Sequence, residues 1–340
     1  MSKIFVTLLA SLLLLNSCSS KTLTLVEEPP LSYPLYLTTM THMEGNFDDA
    51  ESEIVFDKHV DMLRYAMDLA EEYEAILTIE TEKPFAEANA IWGLNIMEEI
   101  LERGHGVGTH CDVGGPTGDK KSPEEFAKEI RENKELVDVL VGAENNHGCS
   151  GAGGFSDWAQ AMTIAGFDYI NGIVGMHLLA VPEAERPMPW DDKVILNSGA
   201  FHYSFPEEVI DRIYLFQLED TTDWQADETG IVVSSGELGR LDGLAEGGFE
   251  NSSTCPANRN CPLTMEDVDA FVEIVEAVAN ERDASKVAKL TLYFPVSNFM
   301  PENEEVLRAF FETAQELQAE GKIEWASQWE VVETYLTSLN

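Results

Sequence analysis

Gly104-His105-Gly106-Val107-Gly108-Thr109-His110-Cys111-Asp112-Val113-Gly114-Gly115 gathers two histidines, a cysteine, an aspartate and five glycines into one short stretch. Val107 and Val113 bracket His110 and Asp112, so the segment reads as a strand whose C-terminal end opens into a glycine turn. In α/β proteins ligands bind at the C-terminal ends of parallel strands, where loops vary while the sheet holds their roots. His110 and Asp112 sit at that end and form the centre of a candidate site. His105 lies before the strand, in the turn after a helix, and reads as structural.

Outward from this stretch, strands and helices alternate. Tyr33–Met43 has strand content; Phe56, Val60, Leu63, Met67 and Ala70 recur at helical spacing; Ala75–Ile79 is a buried-type strand; Phe85–Arg103 reads as one helix. Downstream come a helix from Ser122-Pro123 to Val141, a strand end at Asn145–Ser150, a helix Phe155–Ala165 and a strand Tyr169–Met176 ending at His177. The middle is less regular, with strands expected at Val194–Asn197, Ile213–Leu218 and Ile231–Ser234. Regularity returns with helix Met265–Glu281, strand Lys289–Phe294, helix Glu302–Glu320, strand Ile323–Ala326 and a closing helix. Such alternation predicts parallel strands with right-handed crossovers, as a distorted (β/α) barrel of about seven strands or an open sheet. The long middle connections read as inserted loops on one domain, residues 33–340.

The N-terminus differs in kind. Met1 and Lys3 precede an apolar run from Ile4 to Leu15, too short for a permanent membrane helix, and Leu15-Asn16-Ser17-Cys18 follows. This resembles a bacterial lipoprotein signal over residues 1–17, which implies lipid on Cys18, a polar tether to residue 32 and a place in the cell envelope. Ser19 after the cysteine favours the outer membrane by the same resemblance. The formal charge is −41, and losing the signal makes it one unit more negative through Lys3. Such a surface repels nucleic acid and suits neutral or cationic substrates.

Export implies an oxidising compartment. With Cys18 assigned to lipid, Cys111, Cys149, Cys255 and Cys261 form an even set with three pairings. Cys255 and Cys261 enclose only five residues and read as a local staple, leaving Cys111 with Cys149, which would hold their Cα atoms about 5 to 6 Å apart.

Polar residues recur at the strand ends: His42 and Glu44 after the first, Glu80 and Glu82 after the second, His110 and Asp112 after the third, His147 after the fourth and His177 after the fifth. On a strand, alternate residues share a face, so His42 pairs with Glu44 and His110 with Asp112. Imidazoles and carboxylates converging at one end of a barrel point to a divalent metal, Zn²⁺ or a similar ion, with His42, Glu44, His110 and His147 as ligands. Asp112 or Glu80 would then move protons. The motifs HExxH, CxxC, GxSxG and GxxxxGK are absent from the sequence, so serine hydrolases and phosphate-loop enzymes gain no support.

The chain resembles the polysaccharide deacetylase superfamily. Thr41-His42-Met43-Glu44-Gly45 corresponds to that family's T-F-D-D-G, and Gly104-His105-Gly106-Val107-Gly108 to its G-H-x-x-G. His110-Cys111-Asp112-Val113-Gly114 corresponds to its H-[ST]-x-x-H, and Trp325-Ala326-Ser327 to Val331 looks like its last unit. The resemblance implies a barrel with a metal at the strand C-termini. Glu44 stands where the family has its metal-binding aspartate and His110 where it has its first metal histidine. Met43 stands in place of the catalytic base and Gly114 in place of the second histidine.

Three readings follow. The first is a metal-dependent hydrolase, a carbohydrate deacetylase anchored by lipid. The second is a metal-independent glycoside hydrolase or lyase using Glu44, Glu80 and Asp112. The third is a non-catalytic carbohydrate-binding envelope protein, with whichever of Trp92, Trp158, Trp190, Trp224, Trp325 and Trp329 are exposed as sugar platforms.

Overall fold

The computed structural model describes residues 32–186, 190–196, 209–222, 224, 227–246 and 262–339. The expected signal peptide, Cys18, most of the tether, Cys255 and Cys261 lie outside the described residues. The elements are β1 (Leu35–Met43), α1 (Glu53–Glu72), β2 (Thr78–Thr81), α2 (Lys83–Trp92), α3 (Ile96–Glu102), β3 (Gly106–His110), β4 (Gly114–Gly115), α4 (Pro123–Val141), β5 (Gly148–Ser150), β6 (Gly153–Gly154), α5 (Trp158–Ala165), β7 (Tyr169–Asn171), α6 (Asp192–Ile195), α7 (Val209–Arg212), β8 (Phe216–Leu218), β9 (Ile231–Val233), β10 (Glu237–Arg240), α8 (Met265–Glu281), β11 (Ala288–Tyr293), α9 (Glu304–Ala319), β12 (Glu324–Trp325) and α10 (Gln328–Ser338).

The main sheet runs β10-β11-β1-β2-β3-β5-β7-β9-β8, with β12 beside the start of β1. Every pairing is parallel except β8 with β9. Tyr214, leading into β8, bridges antiparallel to Ala288 on β11, which brings the sheet's two ends together as a distorted (β/α) barrel. The sheet has ten strands among the described residues against the expected seven or so, and β10, in the irregular middle, is the one that no periodicity marks. By contacts, Ser32–Asn340 is one compact unit. Among the described residues no helix is long and apolar enough to cross a membrane.

Helix ends follow local chemistry. Ser52 caps α1 by accepting from Val55 N–H, and Ser122 caps α4 in a full capping box with Glu125. The single helix expected over Phe85–Arg103 is two. Gly93 takes a left-handed φ of 73° and ends α2, and the Asn95 side chain accepts from Glu98 N–H to start α3. The strand expected at Val194–Asn197 is instead the helical turn α6, because Asp191 caps it by accepting from Val194 N–H; Asn197 lies outside the described residues. The fifth strand ends at Asn171, where Gly172 turns at φ 66°, and His177 falls in the 3₁₀ turn Gly175–Ala180.

Gly114 faces a tight crossing of β4 and β6. Its φ is 92°, and a Cβ there would stand 1.9 Å from the Gly153 carbonyl oxygen. No histidine fits that position, so the gap in the metal-binding motif has a steric cause. His105 is structural, as expected: it is 4% exposed and its Nδ1 accepts from Leu77 N–H at 3.2 Å. Burial lowers its pKa to about 4, against a smaller opposing pull from Glu71.

Gly114→Ala should destabilise by about 2 kcal/mol or more, combining left-handed backbone strain with overpacking. Gly115→Ala, also at positive φ (91°) but with nothing within 4 Å, should show only the backbone part in urea titration; equal losses would contradict the steric account. His105 binds its proton more weakly folded than unfolded. Its contribution is therefore complete above about pH 6.5 and is lost as pH falls toward 4, by up to about 1.4 kcal/mol per unit. Urea titrations between pH 7.5 and 5.5 should show a steeper loss in the wild type than in His105→Gln.

Candidate metal centre

Strand register assembles the site. His42 on β1 pairs with Glu80 on β2, and His110 on β3 pairs with Ser150 on β5. Alternation turns His42, Glu80, His110 and Ser150 toward the barrel interior, while Met43 turns outward into the core with no exposed surface. The position that holds a base in the resembled motif is thus spent on packing.

Glu80 Oε2 lies 3.0 Å from His42 Nε2, and Ser150 Oγ lies 3.2 Å from that nitrogen and 3.0 Å from His110 Nδ1. The opposite nitrogens face Glu44: His42 Nδ1 at 3.7 Å and His110 Nε2 at 3.4 Å. The two rings stack with centroids 3.9 Å apart. The Tyr293 hydroxyl donates to Glu44 Oε1 at 3.1 Å, and its ring leans on His42 at 4.9 Å. One ligand atom from each of His42, Glu44 and His110 lies within 4.8 Å of the others. Two imidazoles and a carboxylate, with each imidazole's far nitrogen held by Glu80 or Ser150, fit a divalent cation and its outer shell.

The electrostatics agree. Burial pulls His42 down, but the carboxylates of Glu44 and Glu80 outweigh it and lift it to about 10. Burial pushes Glu44 up, yet His110 and His42 hold it well below the usual carboxylate range. A dication at this point would replace the protons that otherwise balance these carboxylates.

Glu82 and Asp112 stand at the mouth. Each offers an atom within 4.8 Å of the other and of His110. Asp112 is exposed and takes φ 35°, a strained value for an aspartate. Burial, then the charge of Asp112, raises Glu82 to about 7. Gly45 leaves room for it, since a Cβ there would meet the Glu82 carboxylate at 2.2 Å.

Two assignments change. Glu80 lies within β2 with no exposed surface, behind His42, so it orients that ring and cannot serve as an open proton acceptor. His147 precedes β5 and lies at the opposite end of that strand. Its Nδ1 pairs with Asp168 Oδ2 at 2.7 Å and its ring stacks on Trp329 at 3.6 Å, so it does not join the ligands. His177 is buried edge-on against Trp158, with ring centroids 5.6 Å apart. Ser150 and Tyr293 were missed; the only sequence signal for them is their place at the ends of β5 and β11. Cys111 and Cys149 form the expected disulfide, with Cα atoms 6.0 Å apart, joining the residue after His110 to the residue before Ser150. Of the six tryptophans, Trp158, Trp190 and Trp325 are buried and Trp92, Trp224 and Trp329 half-buried.

No family model matches the chain, and no curated protein matches it in sequence. Solved structures do. The Puue allantoinase superposes with TM-score 0.55 at 10% identity, covering 89% of this chain and 90% of that one. A protein assigned as a polysaccharide deacetylase from Pseudomonas aeruginosa PAO1 gives TM-score 0.53 at 12% identity, covering 89% and 91%. One from Mycobacterium smegmatis, likewise assigned, gives 0.50 at 11%, covering 91% and 93%. The chain therefore shares its fold with these proteins.

Proposed function

We propose that the protein is a metal-dependent hydrolase, a carbohydrate deacetylase that cleaves an acetyl amide or ester on an extracytoplasmic glycan. The observation that carries this reading is the convergence of His42, Glu44 and His110, each imidazole backed by Glu80 or Ser150. The ion, Zn²⁺ or a similar dication, would supply Lewis acidity to a carbonyl oxygen and acidify water beside it. The chain's own groups do the rest. Glu80 and Ser150 keep both rings turned so that Nδ1 of His42 and Nε2 of His110 face Glu44, and Tyr293 steadies the Glu44 carboxylate. Asp112 and Glu82 stand where a water proton can be taken up as the acetyl carbonyl is attacked and then returned to the departing amine or alkoxide. Glu82, raised to about 7, can both accept and donate at neutral pH.

Glycoside hydrolysis by Glu44, Glu80 and Asp112 gains no support, because Glu44 is held between two imidazoles and Glu80 is enclosed. The apolar run Ile4 to Leu15 with Cys18 three residues beyond it supports a lipid-anchored protein of the outer membrane. The formal charge of −41 favours neutral or cationic glycans over nucleic acid.

The purified chain should carry about one divalent ion, lost in His110→Ala and in Glu44→Gln by elemental analysis. Glu80→Gln should keep the ion with affinity weaker by about 10- to 100-fold. Full activity in metal-stripped protein would end the proposal. Glu82→Gln should retain the ion and slow acetate release by about 100-fold or more; unchanged turnover would leave Asp112 alone as the proton carrier.

A further inference from the structure

Beneath the two histidines the barrel interior is closed and charged. Glu80 and Lys289 have no exposed surface and Glu237 is 2% exposed. Lys289 projects from β11, and burial lowers its ammonium to about 8 against the opposing fields of Glu237 and Glu80. A lysine ammonium has three donors; the one hydrogen bond made here goes to Thr291 Oγ1, which lies 2.7 Å from Thr38 Oγ1. Across the barrel, Asn171 is fully buried and neither amide atom has a hydrogen-bond partner among the described residues, and the same holds for the Ser234 hydroxyl.

These groups are neighbours in register. Asn171 pairs with Ser150, the hydroxyl that touches both histidines. Ser234 N–H donates to Ile170 O at 2.8 Å, which sets it beside Asn171. Glu237 Oε1 accepts from Gly172 N–H at 2.9 Å, and Glu237 pairs with Thr291 on β11. The Asn171 side chain lies close enough to the Glu80 carboxyl to act on it. Buried polar groups of Asn171 and Ser234 without hydrogen-bond partners among the described residues thus lie beside Ser150 and Glu237 on neighbouring strands. Buried polar groups in that position are satisfied by ordered water when the space is polar and offers two to four partners.

We propose that this chamber is a hydrated site, in which ordered water spans Lys289 Nζ, Asn171, Ser234 and Glu237 and reaches Glu80. Asn171 and Lys289 are then positioning residues of the metal centre, acting through Glu80 on His42; this second part rests on the reading of His42 as a ligand. The water hydrogen-bonds the Glu80 carboxylate from the side away from His42, which holds the carboxylate, and through it the imidazole, in place.

A high-resolution crystal structure of the full chain tests the first part. Ordered water within about 2.7 to 3.2 Å of Asn171 Nδ2 and Ser234 Oγ is expected; a dry chamber, with Lys289 bonded directly to Glu237, would overturn it. Calorimetric titration with Zn²⁺ tests the second. Asn171→Leu should weaken the dissociation constant by about 10-fold or more with unchanged circular dichroism, and Asn171→Ser, which keeps a polar group, should recover most of the loss. Ser234→Ala serves where Asn171→Leu does not fold. A wild-type constant in the correctly folded leucine variant removes the positioning role. A wild type that binds no Zn²⁺ sinks the hydrolase reading instead and leaves the crystallographic waters to decide the hydration.

Discussion

The contact on which the site depends is the one between the buried Glu80 carboxylate and His42 Nε2, at 3.0 Å. A carboxylate without solvent is costly unless paired and hydrogen-bonded, so Glu80 constrains the imidazole beside it as strongly as the imidazole constrains Glu80. That pairing turns Nδ1 of His42 toward Glu44. Ser150 extends the constraint to His110, and the Cys111–Cys149 disulfide fixes the two strands that carry His110 and Ser150. The candidate metal ligands come from two strands, yet their orientation is set by groups on β2 and β5.

The part of this legible in the sequence was the part carried by alternation along single strands. His42 with Glu44, and His110 with Asp112, share a face because strand side chains alternate, and the parallel barrel follows from the order of elements. The Cys111–Cys149 pair followed from counting. What could not be read depended on where a strand starts and on what crosses it. β5 is three residues long and begins at Gly148, so His147, apparently at a strand end, lies at the wrong one. Glu80 looked like a residue beyond a strand because the apolar run ends at Ile79, whereas β2 continues to Thr81. Gly114 looked like a lost ligand; it is a glycine because the β4–β6 crossing leaves no room for a side chain.

Shared architecture does not settle the chemistry. The superposed proteins include an allantoinase as well as proteins assigned as deacetylases, at 10% to 12% identity, and function resides in the residues grafted on a fold. In this chain the two carboxylates at the mouth, Glu82 and Asp112, come from the ends of β2 and β3 and not from the β1 position that Met43 occupies. His42 stands between Glu44, 3.7 Å from its Nδ1, and Glu80, 3.0 Å from its Nε2.

The most direct measurement is a crystal structure of the full chain grown with Zn²⁺ and read from the metal's anomalous scattering. The account predicts one strong peak about 2.0 to 2.2 Å from His42 Nδ1, a Glu44 carboxylate oxygen and His110 Nε2, with Glu80 still on His42 Nε2. A peak away from these three side chains, or none at saturating Zn²⁺, would contradict it.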